Sequence, residues 1–336
     1  MKRRKTNKTF SVIIAASRAK LLKKCLNSLF RQHVNQKKIE IIVISEKKLI
    51  KKPKDYSKKV AFVEIKHKNP AFRRNSGVKI SSGKILAFID DDAHAPKDWL
   101  ETAQERFKKD PKLDCLMGPT LLPKNAGFRE QISHSILTSK ISGHTNFEKS
   151  KYRYEEPNLG DITLCNMLVK RKVFDQVGGF NELIGYGSED SEFVFTAIDK
   201  YQRKMIYYSK LVVWHHRRQF GFSYLKQRFS LRKSTGKLML VYPTRYFWNY
   251  KIGVFLTAIS TFLFFLALFP KQGGLVCLLG LMILIILSKN IIKKHYLIGL
   301  IWPYALIAHF IASYLGLVCG LFSWSEIKKL RQQRRF

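Results

Sequence analysis

Residues 84–96, KILAFIDDDAHAP, decide how the rest of the chain is read. The run KILAFI is short, continuous and apolar, and it ends abruptly in charge, which is the pattern of a buried strand. Three adjacent carboxylates, Asp90, Asp91 and Asp92, stand at its end, and Pro96 opens a helical stretch containing Trp99 and Leu100. Adjacent acids repel one another and cost free energy unless positive charge sits among them. A strand end in an open α/β sheet is also where ligands bind. Asp90 and Asp92, at alternating positions, can both reach one hard divalent cation that also grips a diphosphate. The plainer alternative is a solvated acidic turn capping the next helix, and the triplet by itself does not choose between the two.

Working outward, residues 10–16, FSVIIAA, form another buried run, and Leu21, Leu22, Cys25, Leu26 and Leu29 then recur at helical spacing. Residues 39–44, IEIIVI, and 60–65, VAFVEI, add strands, and the spacing predicts a helix over 71–81 ending near Gly83. Alternating strand and helix up to this point implies that the N-terminal part is α/β with a mostly parallel sheet. A helix over 96–109 and a strand in LDCLMGP, residues 113–119, continue the pattern. Residues 120–160 mix Pro, Gly, Ser and His with little periodicity and are expected to form a long loop over the site. Residues 161–182, DITLCNMLVKRKVFDQVGGFNE, read as strand, helix and Gly-Gly turn. In GYGSEDSEFVFTAIDKY, Glu189 and Asp190 fall at a helix start, where the macrodipole favours negative charge. Residues 205–214, MIYYSKLVVW, are expected to be one closing strand that delivers His215 and His216.

The 336 residues carry 61 Lys+Arg against 24 Asp+Glu, a formal charge of +37. That balance implies anionic partners: nucleic acid, phospholipid head groups or phosphorylated substrates. No zinc-finger or RNP-type motif accompanies the charge, so nucleic acid is not expected as a partner, and anionic membrane lipid explains it more simply. Cys25, Cys115, Cys165, Cys277 and Cys319 have no paired spacing, which argues against a disulfide framework and suits a reducing compartment. SVIIAA, after the basic start, is too short for a cleavable signal core.

The C-terminal third points to a membrane. Residues 221–250 mix basic and aromatic side chains as an interfacial amphipathic segment does, with packing beneath the first domain as the alternative. Residues 252–269 are apolar without a charge, 275–288 form a shorter apolar run, and 296–324 a long one containing Pro303 and His309. The basic loop SKNIIKKH and the basic tail 325–336 place the N-terminal domain on the cytoplasmic face by positive-inside logic. The last apolar stretch then either bends back as a re-entrant hairpin near Pro303 or His309, or crosses once. The expected organisation is a domain over 1–220, an interfacial segment over 221–250, transmembrane helices over 251–324 and a basic cytoplasmic tail, in a multi-pass protein of the inner membrane.

Four stretches taken in order carry a family resemblance: VIIAASR with LLKKCLNSL; RRNSGVKISSGKILAFIDDD with PKDWL; NMLVKRKVFDQVGGFNE; and GYGSED with the later VVWHHRR. Together they resemble a family 2 glycosyltransferase of GT-A fold, a Rossmann-like mixed α/β sheet. The tail is similar to that of membrane-attached members of the succinoglycan-biosynthesis type. The resemblance implies inverting transfer of a sugar from a nucleoside-diphosphate donor, UDP-linked by expectation, to a lipid-linked or glycan acceptor. It implies Asp190 as general base with Glu189 beside it, and Asp92 and His215 as ligands of Mn2+ or Mg2+. It implies donor contacts from Ala15, Ser17, Arg18, Glu46, Arg74, Asp90 and Asp91, and acceptor contacts from Asn166, Gly179 and Trp214.

Two positions depart from the family pattern. Ala15 stands where a Pro is usual, and Ser45-Glu46 stands where an Asp normally ends the second strand and reads the nucleobase. The departure at Ser45 motivates a rival reading, a degenerate transferase that binds glycan or lipid phosphate without turnover. A nucleic-acid-binding membrane protein is the second rival, motivated only by charge.

Overall fold

The structure is a computed structural model, and it describes residues 8–46, 60–139, 152–246 and 296–333. In chain order the elements are β1 (Phe10–Ala16), α1 (Ala19–Phe30), β2 (Ile39–Ser45), β3 (Val60–Glu64), α2 (Pro70–Ile80), β4 (Ile85–Phe88), β5 (Ala93–His94), α3 (Trp99–Lys109), β6 (Leu113–Met117) and β7 (Thr120–Leu121). They continue with α4 (Phe128–Leu137), β8 (Tyr154–Glu155), β9 (Met167–Lys170), α5 (Arg171–Val177), α6 (Glu189–Asp199), β10 (Lys204–Tyr208), β11 (Val213–His215), α7 (Phe222–Val241), α8 (Tyr296–Leu321) and α9 (Trp324–Gln332). The chain divides into two compact units, one of residues 1–124, 144–216 and 335–336, the other of 125–143 and 217–334.

The first unit holds an eight-stranded sheet in the order β3-β2-β1-β4-β9-β6-β10-β8 and a three-stranded sheet in the order β5-β11-β7. In β1 six of seven residues are buried with no alternation, as expected of a central parallel strand covered on both faces. β1 pairs in parallel with β2 and β4, so the ends of all three lie along one edge of the sheet. The chain leaves β4 at that edge through Ile89 and the acidic triplet. β9 runs antiparallel to β4 and β6, with Phe88 opposite Met167. Its N-terminal approach, a single 3-10 turn over Leu164–Asn166, therefore reaches the same edge. The sheet is thus mixed, and its N-terminal strands β3, β2, β1 and β4 are all parallel.

Two sequence expectations change here. Residues 205–214 are two strands in different sheets: the chain turns at Ser209 and Lys210, with the Leu211 N–H donating to the Tyr208 carbonyl at 3.0 Å. Residues 120–160 are not a structureless loop, since they contain β7, α4 and β8; residues 140–151 lie outside the described residues.

The second unit packs α4, α7, α8 and α9. α7 meets α8 backbone to backbone: a Cβ on Gly316 would lie 2.9 Å from Phe229 backbone carbon, and one on Gly320 3.0 Å from that of Lys233. Residues Ser234, Thr235, Gly236, Lys237, Leu238, Met239 and Val241 are buried, so the C-terminal half of α7, inside the segment expected at a membrane interface, packs within this unit. α8 runs unbroken through Pro303, which removes the hairpin alternative for 296–321. Its part Ile301–Leu321 is, among the described residues, the helix long and apolar enough to cross a membrane. The apolar runs 252–269 and 275–288 lie outside the described residues.

The turn from α2 into β4 fastens the acidic strand. The Glu40 carboxylate accepts from Ser11 Oγ at 2.5 Å, Ser82 N at 2.5 Å and Gly83 N at 3.0 Å. A Cβ on Gly83 would sit 2.6 Å from Ser11 N and 2.7 Å from Phe10 carbonyl carbon, both of them backbone atoms that cannot swing aside. Gly83→Ala is therefore expected to cost about 1–3 kcal/mol, the usual penalty for overpacking, read as a lower unfolding midpoint of the full chain.

Candidate active site

Each of the three adjacent aspartates has a different environment. Asp91 turns back into the fold, 2% exposed, and one oxygen accepts the N–H groups of Ser17 and Arg18 at 2.5 Å each. Burial and the neighbouring Asp92 push its pKa up, against the two backbone N–H groups and Arg18. Its carboxylate thus pins the β1–α1 turn, and the backbone donors of Ser17 and Arg18 are spent on it rather than turned toward a ligand.

Asp92 is equally buried, at 2% exposure. One oxygen lies 3.1 Å from His215 Nε2 and the other pairs with the Arg18 guanidinium. Burial opposes its charge, but His215 and Arg18 outweigh that and hold the pKa down at about 2. β11 presents His215 because it pairs antiparallel with β5, His215 opposite Ala93, and the His216 N–H ties back to the Asp92 carbonyl at 3.1 Å.

Asp90 is the open member, its side chain 28% exposed. One oxygen accepts from Arg74 Nη2 at 2.9 Å, and the other is 4.0 Å from His215 Nε2. Asp90, His215 and Cys165 each bring a ligand atom within 4.8 Å of the others. Donors bonded to one ion at about 2.0–2.3 Å lie at most about 4.6 Å apart, so small adjustments would close these donors on a cation. The donor set fits a divalent metal.

Arg74 joins this cluster to the start of α6. It is 8% exposed, and Nη1 donates to Glu189 Oε1 at 3.1 Å while Nη2 serves Asp90. Burial works against the guanidinium charge, but Asp90 and Glu189 raise its pKa overall. Glu189 is pushed up to about 7, first by burial and then by the charge of Asp190, with Arg74 opposing. Asp190 is also raised, by burial, although it accepts N–H groups from Ser191, at 2.9 Å, and Leu164. A carboxylate with a raised pKa at a crevice edge is suited to take a proton near neutral pH.

The other expected site residues lie apart from this crevice or are committed elsewhere. Asn166 is fully buried: its oxygen accepts from Trp99 Nε1 at 2.9 Å and its amide donates to the carbonyls of Pro119 and Leu211 at 3.1 and 2.5 Å. Both polar atoms of its side chain are thus engaged within the fold. Gly179 has φ +76°, and a Cβ there would lie 2.9 Å from Asn75 Oδ1, which accepts the Phe180 N–H at 3.0 Å. It shapes the turn. Trp214 stacks on His94 at 5.3 Å, on the face of the small sheet opposite to His215, since neighbouring residues of a strand alternate faces. Ala15 sits in β1 opposite Ile44, and Glu46 follows the end of β2, where its charge acts on Arg73. Arg73 itself donates to the Ala16 carbonyl at 2.8 Å. Cys165 was not singled out from sequence, because nothing in the pattern brings it beside residues 75 positions upstream and 50 downstream.

Residues 11–178 match the family model described as Glycosyl transferase family 2, and the chain belongs to that family. Among characterised relatives in Haloferax volcanii, a glucosyl-dolichyl phosphate glucuronosyltransferase is 27% identical over 120 residues. That match spans 34% of this chain and 35% of the relative, so the chain covers about a third of that protein. The glycosyltransferase AglE of the same organism is 26% identical over 237 residues, 66% of this chain and 71% of AglE. Among solved structures, a mannosyltransferase from Pyrobaculum calidifontis in complex with GDP-Man and Mn2+ superposes with TM-score 0.57 at 14% identity, over 93% of this chain and 88% of that one. S. aureus TarS residues 1–349 in complex with UDP-GlcNAc superposes with TM-score 0.50 at 14% identity, over 92% and 90%. The GT-A fold expected from the motifs is the fold observed.

Because Glu189 is held at about 7 against its ordinary 4.5, the neutral form is favoured in the folded state. Its contribution to stability is complete below pH 4.5 and is lost as pH rises through about 7. Glu189→Gln, which does not titrate, should therefore gain in unfolding midpoint over the wild type across that window. A difference that stays flat with pH would contradict the assignment.

Proposed function

We propose that the chain is an inverting, metal-dependent glycosyltransferase that moves a sugar from a nucleoside-diphosphate sugar to a lipid-linked or growing glycan acceptor at a membrane face. The observation that carries it is the Arg74 bridge, which holds the acidic β4 edge and the Glu189–Asp190 helix start in one crevice.

Single displacement needs a base opposite the leaving group and positive charge beside it. Asp190 takes the proton from the acceptor hydroxyl as its oxygen bonds to the anomeric carbon. The bond from that carbon to the diphosphate breaks, and the diphosphate leaves with the electron pair. Asp92 and His215, with Asp90 alongside, would hold the divalent cation, Mn2+ or Mg2+, that neutralises charge on the leaving oxygen when bound. Arg18, on the same edge, supplies a further positive charge. Glu189, through Arg74, ties the helix start that carries Asp190 to Asp90.

The acceptor reading is supported by the dolichyl-phosphate substrate in the name of one relative, and by the apolar helix Ile301–Leu321. The formal charge of +37 favours an anionic lipid surface, on the cytoplasmic side where nucleotide sugars are made. With Ser45 and Glu46 in place of the usual Asp, the nucleobase is open, and a UDP-sugar is the first donor to test.

The test is release of nucleoside diphosphate from a panel of nucleotide sugars by the full chain in detergent, with a membrane-lipid extract as acceptor. Asp190→Asn should lower turnover by about 10²–10⁴-fold, the range of general-base catalysis, with donor binding kept. Asp92→Ala should lose metal-dependent nucleotide binding. Turnover by Asp190→Asn at the wild-type rate would remove the base assignment, and nucleotide binding without release from any donor would favour the binding-protein reading.

A further inference from the structure

We propose that Cys165 is a further direct ligand of the divalent cation, so that thiolate joins carboxylate and imidazole and the site takes Zn2+ or Co2+ as well as Mn2+ or Mg2+. The inference rests on the crevice being a metal-assisted transfer site. It adds a ligand that neither the motif pattern nor the family comparison assigns.

The sulfur is placed by the fold. Cys165 is the middle residue of the 3-10 turn Leu164–Asn166, capped by Thr163, whose Oγ1 accepts the Cys165 N–H at 3.3 Å. Its successor Asn166 is fixed by Trp99, Pro119 and Leu211, and Cys165 is 2% exposed. A short turn locked on both sides leaves the side chain little freedom, which is the condition for a preorganised ligand. The sulfur shares a 4.8 Å group with an oxygen of Asp90 and a nitrogen of His215. Those two come from the ends of β4 and β11, so three separate parts of the chain converge on one point.

The chemistry of the donors widens the range of metals the site can hold. Oxygen-only sites suit Mg2+ and Mn2+, whereas an imidazole with a thiolate favours Zn2+ and Co2+. On binding, the thiol proton is released to solvent and a metal–sulfur bond forms. The alternative is that Cys165 only fills space, as a member of the apolar cluster with Leu168, Ile206 and Leu211.

Co2+ added to the reduced full chain in detergent, without oxygen, distinguishes these. Visible d–d bands report occupancy, and a near-ultraviolet thiolate-to-cobalt charge-transfer band appears only when sulfur is bonded. The wild type is expected to show both, and Cys165→Ser to lose the charge-transfer band and bind Co2+ at least about tenfold more weakly, the lower end of what losing even an outer-shell partner costs. X-ray absorption of the zinc-loaded wild type, which needs no variant to fold, should show a sulfur shell at about 2.3 Å. Occupancy bands without charge transfer, a charge-transfer band that persists in Cys165→Ser, or a shell of light atoms only would overturn the thiolate ligand and leave the transferase reading standing. No Co2+ bands at all, with or without nucleoside diphosphate, would overturn the thiolate ligand and the metal-dependent reading together.

Discussion

The site depends on one buried guanidinium. Arg74 lies between Asp90 and Glu189, which are 99 residues apart in sequence, and pairs with both. Two carboxylates this close would otherwise repel, and removing one partner from a buried pair typically costs about 3–5 kcal/mol. The start of α2 makes the bridge possible. Asn69 caps the helix by accepting the N–H groups of Ala71 and Phe72, and Pro70 occupies its first turn. Gly77 lets the helix approach the sheet so closely that a Cβ there would lie 2.8 Å from Ile13. With the helix held this near, the two adjacent arginines near its start reach in different directions, Arg73 to the end of β1 and Arg74 to the acids.

Environment, more than residue type, then divides the labour among the carboxylates. Asp91 is held by backbone N–H groups and becomes a structural pin. Asp92 is kept ionised by His215 and Arg18 despite its burial. Asp90 stays open to solvent, and Glu189 and Asp190 are displaced upward by burial. Ionised acid at one wall and raised pKa values at the other are what a reaction needs when it must stabilise a leaving anion and accept a proton in the same crevice.

Strands β1, β2 and β4 were legible because their apolar runs are continuous and end in polar residues, and the acidic triplet and the Glu189–Asp190 helix start stood out by type and place. What sequence could not supply was facing and partnership. Residues 205–214 look like one strand because the break at Ser209 and Lys210 is short and flanked by aromatic and β-branched residues on both sides. Once the break is seen, Trp214 falls on the opposite face from His215 and stacks on His94. Asn166 looks like a pocket residue until its bonds to positions 99, 119 and 211 use every polar atom. The helix α4 was missed because it is only ten residues long and buries few apolar side chains, Ile132, Ile136 and Leu137, too short a stretch for periodicity to register.

The reversal of β9 between β4 and β6 explains why so much converges at residues 164–166. A parallel strand in the place of β9 would bring its C-terminal end to the active edge and leave its N-terminal approach at the far side. Running antiparallel to β4, β9 instead brings the turn before it to that edge. Three consecutive residues there do separate work: the Leu164 N–H reaches Asp190, the Cys165 sulfur stands beside Asp90 and His215, and the Asn166 amide ties α3 to the chain before β7 and β11. Any shift in the register of β9 would move all three at once. The strand direction that makes the sheet mixed is therefore the feature that couples the base, the metal-capable cluster and the core beneath them.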